Sequence, residues 1–215
     1  MSCKASLINF FHKLYSFYGE QKWWPADTPF EVAIGAILTQ NTNWSNVKKA
    51  IDNLKREELL NPQSLKHISI ERLSEVIKPS GYYRIKAKRI KAFIDFLFDY
   101  YYGNLKIIKE QETNNIRSQL LSIHGIGQET ADSILLYAFE KPVFVVDSYT
   151  KRVISRHKIL NYNSSYKEFQ DLFHNELKQD VQLYNEYHAL FVRVGKDYCK
   201  TKPLCDGCPL SLDRK

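Results

Sequence analysis

An all-α fold is predicted by three observations. The 215 residues include only 8 Gly and 7 Pro, well below the ~12% that average usage gives these two turn formers together. Apolar residues recur at helical spacing along nearly the whole chain. The one strand-like run, Val143-Phe144-Val145-Val146, is too short to found a sheet without a partner. With 44% hydrophobic residues the chain has enough apolar surface for a core, in one or two domains.

Taken in order, the first helix shows itself by apolar residues at 7, 10, 11, 14, 15 and 18, a helical stripe rather than the continuous apolar core of a signal peptide. Thr28-Pro29-Phe30-Glu31 starts the next, with Thr as N-cap, Pro in the first turn and Glu three residues after the cap. A third carries Trp44, Val47, Ile51 and Leu54 on one stripe, and Asn61-Pro62 and Ser69 open two shorter ones. A long helix from about Arg84 to Tyr101 presents Ile90, Phe93, Ile94, Leu97, Phe98 and Tyr101 to the core. Further helices are predicted at about 114–122, 129–139, 148–157, 165–176 and 181–196.

The charge is +7 with a pI near 9.1, which suits a polyanion such as nucleic acid or an acidic membrane surface, and equally a basic soluble protein without such a partner. No apolar run approaches the ~18 residues of a membrane span, so a cytoplasmic protein is expected, without a membrane partner. Disulfides are then not expected among the four cysteines, three of which crowd the C-terminus.

Two stretches carry chemistry. In Leu121-Ser-Ile-His-Gly-Ile-Gly-Gln-Glu-Thr-Ala131, Gly125 and Gly127 sit between two apolar-periodic segments. Glycine permits positive φ and close backbone approach there. A helix starting near Gln128 would then offer its N–H groups to a phosphate, although such a pair also serves in ordinary turns. Further on, Asp147 follows the apolar run and opens a helix, a position that by itself suits an N-cap.

The hairpin, the helix after it and "VVDSYTKRV" resemble the helix-hairpin-helix motif and trailing Asp of the endonuclease III superfamily of DNA glycosylases. "ILTQNTNWSNVKKAIDNL" is similar to that family's Gln-bearing helix, and "VIKPSGYYRIKAKRI" to its G-x-Y-x-x-K-A segment. The resemblance implies a six-helix domain over 28–140, with the hairpin at about 114–139, and a second domain from 1–27 plus 141–215. It also implies double-stranded DNA with a damaged base, held in a cleft between the domains by a monomer associated with a bacterial-type nucleoid. Asp147 becomes the catalytic carboxylate: a fixed negative charge stabilises an oxocarbenium-like sugar and orients water, once the base has flipped out of the stack. Gln40 would fill the gap left by the flipped nucleotide and Tyr82 would sit near the wedge. Gly125, Gly127 and Gln128 would meet the phosphates, with Lys86 and Lys88 in a basic run beside an aromatic loop.

The sequence departs from the family twice. Where members that also cut the backbone carry a lysine, this chain has Glu129, and a carboxylate forms no Schiff base. That departure resembles the monofunctional 3-methyladenine DNA glycosylases, whose aromatic pocket segments match Trp23, Trp24, Pro25 and Trp44. A cationic alkylated base both stacks well on such rings and leaves without prior protonation. The other departure is the tail. Cys199, Cys205 and Cys208 resemble the loop holding a 4Fe-4S cluster, but the fourth position is Arg214, and such clusters use four thiolates. Cys3 or His188 could complete a set; a loop with free thiols is the other reading. Two alternatives to a monofunctional glycosylase stay open: a bifunctional glycosylase/AP lyase acting on oxidised pyrimidines, and a non-catalytic helix-hairpin-helix DNA-binding module.

Overall fold

A computed structural model describes residues 3–211, with side chains from Ser6 onward; the Cys3 side chain and Arg214, named above for the C-terminal loop, lie outside the described residues. The described residues are helical with no strand, so the all-α expectation holds. None of their helices is long and apolar enough to cross a membrane. The chain forms two compact units, one from Ala26 to Lys141 and one joining the residues up to Pro25 with those from Pro142 onward.

The contiguous unit contains α2 (Pro29–Thr39), α3 (Trp44–Arg56), α4 (Pro62–His67), α5 (Ile70–Val76), α6 (Tyr83–Tyr101), α7 (Leu105–Lys109), α8 (Thr113–Ser122) and α9 (Gln128–Ser133). These are eight helical segments rather than the six implied by resemblance, α4 and α7 being short. A 3-10 turn at Lys78–Ser80 precedes α6, and α9 widens into a π-helical turn at Ile134–Ala138. Buried from Phe30 to Leu38, α2 is apolar nearly all round, as a helix central to a core must be. It packs on α3, α6, α9 and the π-helical turn. Its start is fixed as the sequence suggests. Thr28 Oγ1 accepts from the Glu31 N–H at 3.1 Å, and Glu31 Oε2 accepts from the Asp27 N–H at 3.0 Å. Buried Glu31 is offset by Lys55 at 2.7 Å, as a charge in a core requires. On α6 the buried face includes Phe96, while Phe98 is only half-buried, under Lys66 and against Gly103.

The split unit contains α1 (Cys3–Tyr18), α10 (Ser148–Arg156), α11 (Tyr166–Glu176) and α12 (Val181–Asp197). Leu7, Phe10 and Leu14 bury the stripe of α1, and Tyr187 donates its hydroxyl to the Leu7 carbonyl at 2.8 Å. The strand-like run Val143–Val146 is buried and lies outside any helix. Side chains of α11 satisfy its backbone in place of a neighbouring strand. The Phe144 N–H donates to His174 Nε2 at 2.9 Å, Gln170 Nε2 donates to the Phe144 carbonyl at 2.8 Å, and the Val146 N–H donates to the Tyr166 hydroxyl at 3.3 Å. Buried backbone must be paired with something, and here that requirement ties the segment before Asp147 to α11.

Candidate active site

Asp147 caps α10. Its Oδ1 accepts from the Thr150 N–H at 2.7 Å, the bond that an N-cap carboxylate supplies. Its Oδ2 lies 3.6 Å from His188 Nε2 on α12, both side chains being buried. At that separation the contact is electrostatic rather than a hydrogen bond. Burial alone would raise the carboxyl's pKa, but His188 and Thr150 more than offset it, and the group is held below the ordinary carboxylate range. The site therefore keeps a carboxylate ionised where water is scarce. His188 was named above only for the cysteine loop; the structure places it here instead. The signal was present in the sequence, because Tyr184, His188 and Phe191 share a face of α12, and a polar group on an apolar stripe needs a partner.

The hairpin joins α8 to α9. Gly125 has φ +86°, a conformation that favours glycine. Gly127 is the N-cap of α9, in extended conformation and without a capping side chain, and no side chain or backbone crowds its Cβ position. Gln128 and Glu129 are exposed. The two hairpin helices are clamped by Arg117, which grips the fully buried Asp132 through two bonds of 2.7 and 3.0 Å; bidentate pairs of this kind also set orientation.

Gln40 is not a side chain standing free at the surface. Its Nε2 donates to the Gly125 carbonyl at 3.0 Å and to Thr130 Oγ1 at 2.9 Å, and its Oε1 accepts from Arg89. As placed, it braces the hairpin. Lys86 requires a correction. Expected in a DNA-facing basic run, it is 1% exposed, with Nζ donating to the Leu38 carbonyl at 2.8 Å and the Ser80 carbonyl at 2.6 Å. Burial first, then the charge of Arg89, push its pKa down to about 8. The reason is periodic. Lys86 lies on the same stripe as Ile90, Phe93 and Leu97, so it points inward and its ammonium closes the carbonyl ends of α2 and the 3-10 turn. Lys88, off that stripe, is exposed. Tyr82 is 69% exposed and holds a left-handed φ of 46°, a strained choice for tyrosine.

Of the residues expected to line a base pocket, Trp23, Trp24 and Pro25 belong to the split unit and Trp44, at the start of α3, to the contiguous one. Trp24 has φ +65°, in the left-handed region. Trp23 lies under the Lys196 ammonium, 5.7 Å from the ring centre, and its indole N–H is buried without a hydrogen-bond partner.

In the C-terminal loop, Cys199, Cys205 and Cys208 line a small cavity together with Arg156 and His157. Arg156 Nη1 donates to Cys199 Sγ at 3.2 Å. Burial pushes the Cys208 thiol up, as do the other two cysteines. Among the described residues no three His, Cys, Asp or Glu are disposed to hold a metal ion. A four-iron cluster needs four thiolates, and the described residues supply three.

Residues 34–179 match the HhH-GPD superfamily of base excision DNA repair proteins. The chain belongs to that family, as a DNA repair glycosylase. A protein of Methanocaldococcus jannaschii, by name a DNA repair glycosylase, is 45% identical over 96% of both chains. Endonuclease III of Thermotoga maritima is 32% identical, over 84% of this chain and 79% of that one. Among solved structures, the H. pylori 3-methyladenine DNA glycosylase bound to 1,N6-ethenoadenine has a TM-score of 0.77 at 28% identity, covering 91% of this chain and 98% of that one. An endonuclease III–DNA complex shares the fold, with a TM-score of 0.84 at 24% identity, over 100% and 96% of the two chains.

Proposed function

We propose that this protein binds double-stranded DNA and hydrolyses the N-glycosidic bond of a flipped, alkylated purine such as 3-methyladenine, leaving the backbone uncut. The observation that carries this reading is Asp147, a buried carboxylate fixed at one oxygen by the Thr150 N–H and kept ionised. As the bond to the base breaks, its electron pair leaves with the base and positive charge grows on the sugar. Asp147 opposes that charge. Water's oxygen then bonds to the anomeric carbon, and its proton passes to the carboxylate. An alkylated purine already carries positive charge, so no separate acid is required to release it. Aromatic faces at Trp23 and Trp24 suit such a base, and the buried, unpartnered N–H of Trp23 is a donor for one of its acceptors. The H. pylori structural relative, by name a 3-methyladenine DNA glycosylase, supports this reading.

A second reading, the bifunctional glycosylase/lyase, draws on the likeness to endonuclease III of Thermotoga maritima. It requires an amine at the sugar, and Glu129 supplies none. Lys86, whose lowered pKa would suit a nucleophile, is sealed against two carbonyls. The test is a panel of alkylated, oxidised and mismatched duplexes, with borohydride added to parallel reactions. Release of 3-methyladenine, no trapped adduct and strands cut only after alkali are expected. Efficient trapping with oxidised pyrimidines as preferred substrates would transfer the case to the second reading.

A further inference from the structure

We propose that His188 is a positioning residue for base excision: it faces the second oxygen of the Asp147 carboxylate from α12 and fixes that oxygen for the reaction. The proposal rests on the reading of Asp147 as the catalytic carboxylate. One oxygen of Asp147 is already committed, because Oδ1 accepts the Thr150 N–H at 2.7 Å. The capping bond alone leaves the carboxylate free to swing about that one contact. His188 Nε2 stands 3.6 Å from that oxygen and is itself 5% exposed. A buried, isolated carboxylate would escape its desolvation cost by taking up a proton, and an imidazole opposite is the group that prevents it. The groups bearing on the charge of Asp147 are His188 from α12 and Thr150 from α10.

The packing of the two helices holds this approach in place. Gly195 lies two turns further along α12, on the same face as His188, and a Cβ there would run into the ring of Tyr149 on α10. Glycine thus lets α12 settle against the first turn of α10, next to the residue that caps it. At its other side, α12 is tied to α1 by the hydroxyl of Tyr187, the residue adjoining His188. A 1 Å displacement of a group at a reacting centre is enough to cost about a hundredfold in rate, so such fixing bears directly on catalysis.

The test compares His188→Ala, His188→Gln and Asp147→Asn with the wild type, by single-turnover base release from a 3-methyladenine duplex and by duplex Kd, over a range of pH. For His188→Ala we expect release slowed by about ten- to a hundredfold, with Kd within a few-fold of wild type and an acid limb displaced towards neutral pH. His188→Gln, which places an amide N–H dipole near the same oxygen, should recover part of the rate. Wild-type rates and pH profile in a folded His188→Ala protein would overturn the inference, as would equal losses in the Ala and Gln variants that follow only the fraction folded. Asp147→Asn separates the two levels. An active Asn variant removes the catalytic reading itself, whereas an inactive one beside a fully active His188→Ala removes only the role given to His188.

Discussion

Arg89 lies across Gly125. A Cβ at that glycine would stand 2.5 Å from Nε and 2.6 Å from Cγ of the arginine, while the same guanidinium donates to Gln40, which in turn holds the Gly125 carbonyl. The turn of the hairpin is therefore shaped from outside itself, by α6 and by the residue following α2.

Gly125→Ala should destabilise the protein by about 1–3 kcal/mol for the left-handed backbone alone, with the clash against Arg89 in addition. Denaturant unfolding checks this. In an Arg89→Ala background the clash component should vanish while the backbone component remains, so the double-mutant cycle should give a non-zero coupling. Full additivity would mean that the contact has no energetic weight.

Lys86 and Lys88 should separate cleanly. Lys86→Met strands two buried carbonyls, each costing about 1–3 kcal/mol, so melting temperature should fall sharply while the salt dependence of duplex binding keeps its slope. Lys88→Ala should leave stability within about 0.5 kcal/mol, and should lower the salt slope by ~0.9 if its ammonium neutralises one phosphate. Duplex titrations at several salt concentrations decide between the two patterns.

Asp147 makes stability depend on acid pH with a definite sign. Its folded pKa lies below the unfolded value of about 3.9. The stabilisation is therefore present above that unfolded value and is lost as pH falls through the folded one. Melting curves of wild type and Asp147→Asn between pH 7 and 3 should show the wild type losing ground relative to the variant only below about pH 4. A gap that already narrows between pH 7 and 5 would contradict the lowered pKa.

The C-terminal loop should hold without metal. Arg156 donates to Cys199 Sγ, to the Lys200 carbonyl at 2.6 Å and to the Thr201 carbonyl at 2.9 Å, and Arg152 donates to the Cys199 carbonyl at 2.5 Å. These bonds anchor the loop to α10, the work a cluster would do elsewhere. Exhaustive chelation should leave the melting temperature unchanged, whereas Arg156→Ala should lower stability by about 1–2 kcal/mol and expose the loop to protease. A large drop on chelation, with stoichiometric iron or zinc released, would reverse this assignment.

Helix positions were legible in the sequence because their causes are local. The Thr28–Glu31 start, the Asn61 and Ser69 caps and the stripe of α6 all act through residues within a turn or two of one another. Asp147 could be found for the same reason, since it closes an apolar run and opens a helix, in a segment that also resembles a known family. What a side chain does at the site was less legible. Lys86 read as surface charge in a basic run, yet its position on the stripe of α6 turns it inward, where the carbonyl ends of α2 and a 3-10 turn receive it. Gln40 read as a residue for the gap left by a flipped nucleotide, and the bonds by which the hairpin and Arg89 engage both ends of its amide could not be read. His188 lies forty-one residues from Asp147 in the chain, and only the packing of α12 on α10 brings the two together. Local patterns fix which face of a helix is buried; which polar group meets another there depends on the approach of elements distant in sequence, and that approach is a property of the packed core.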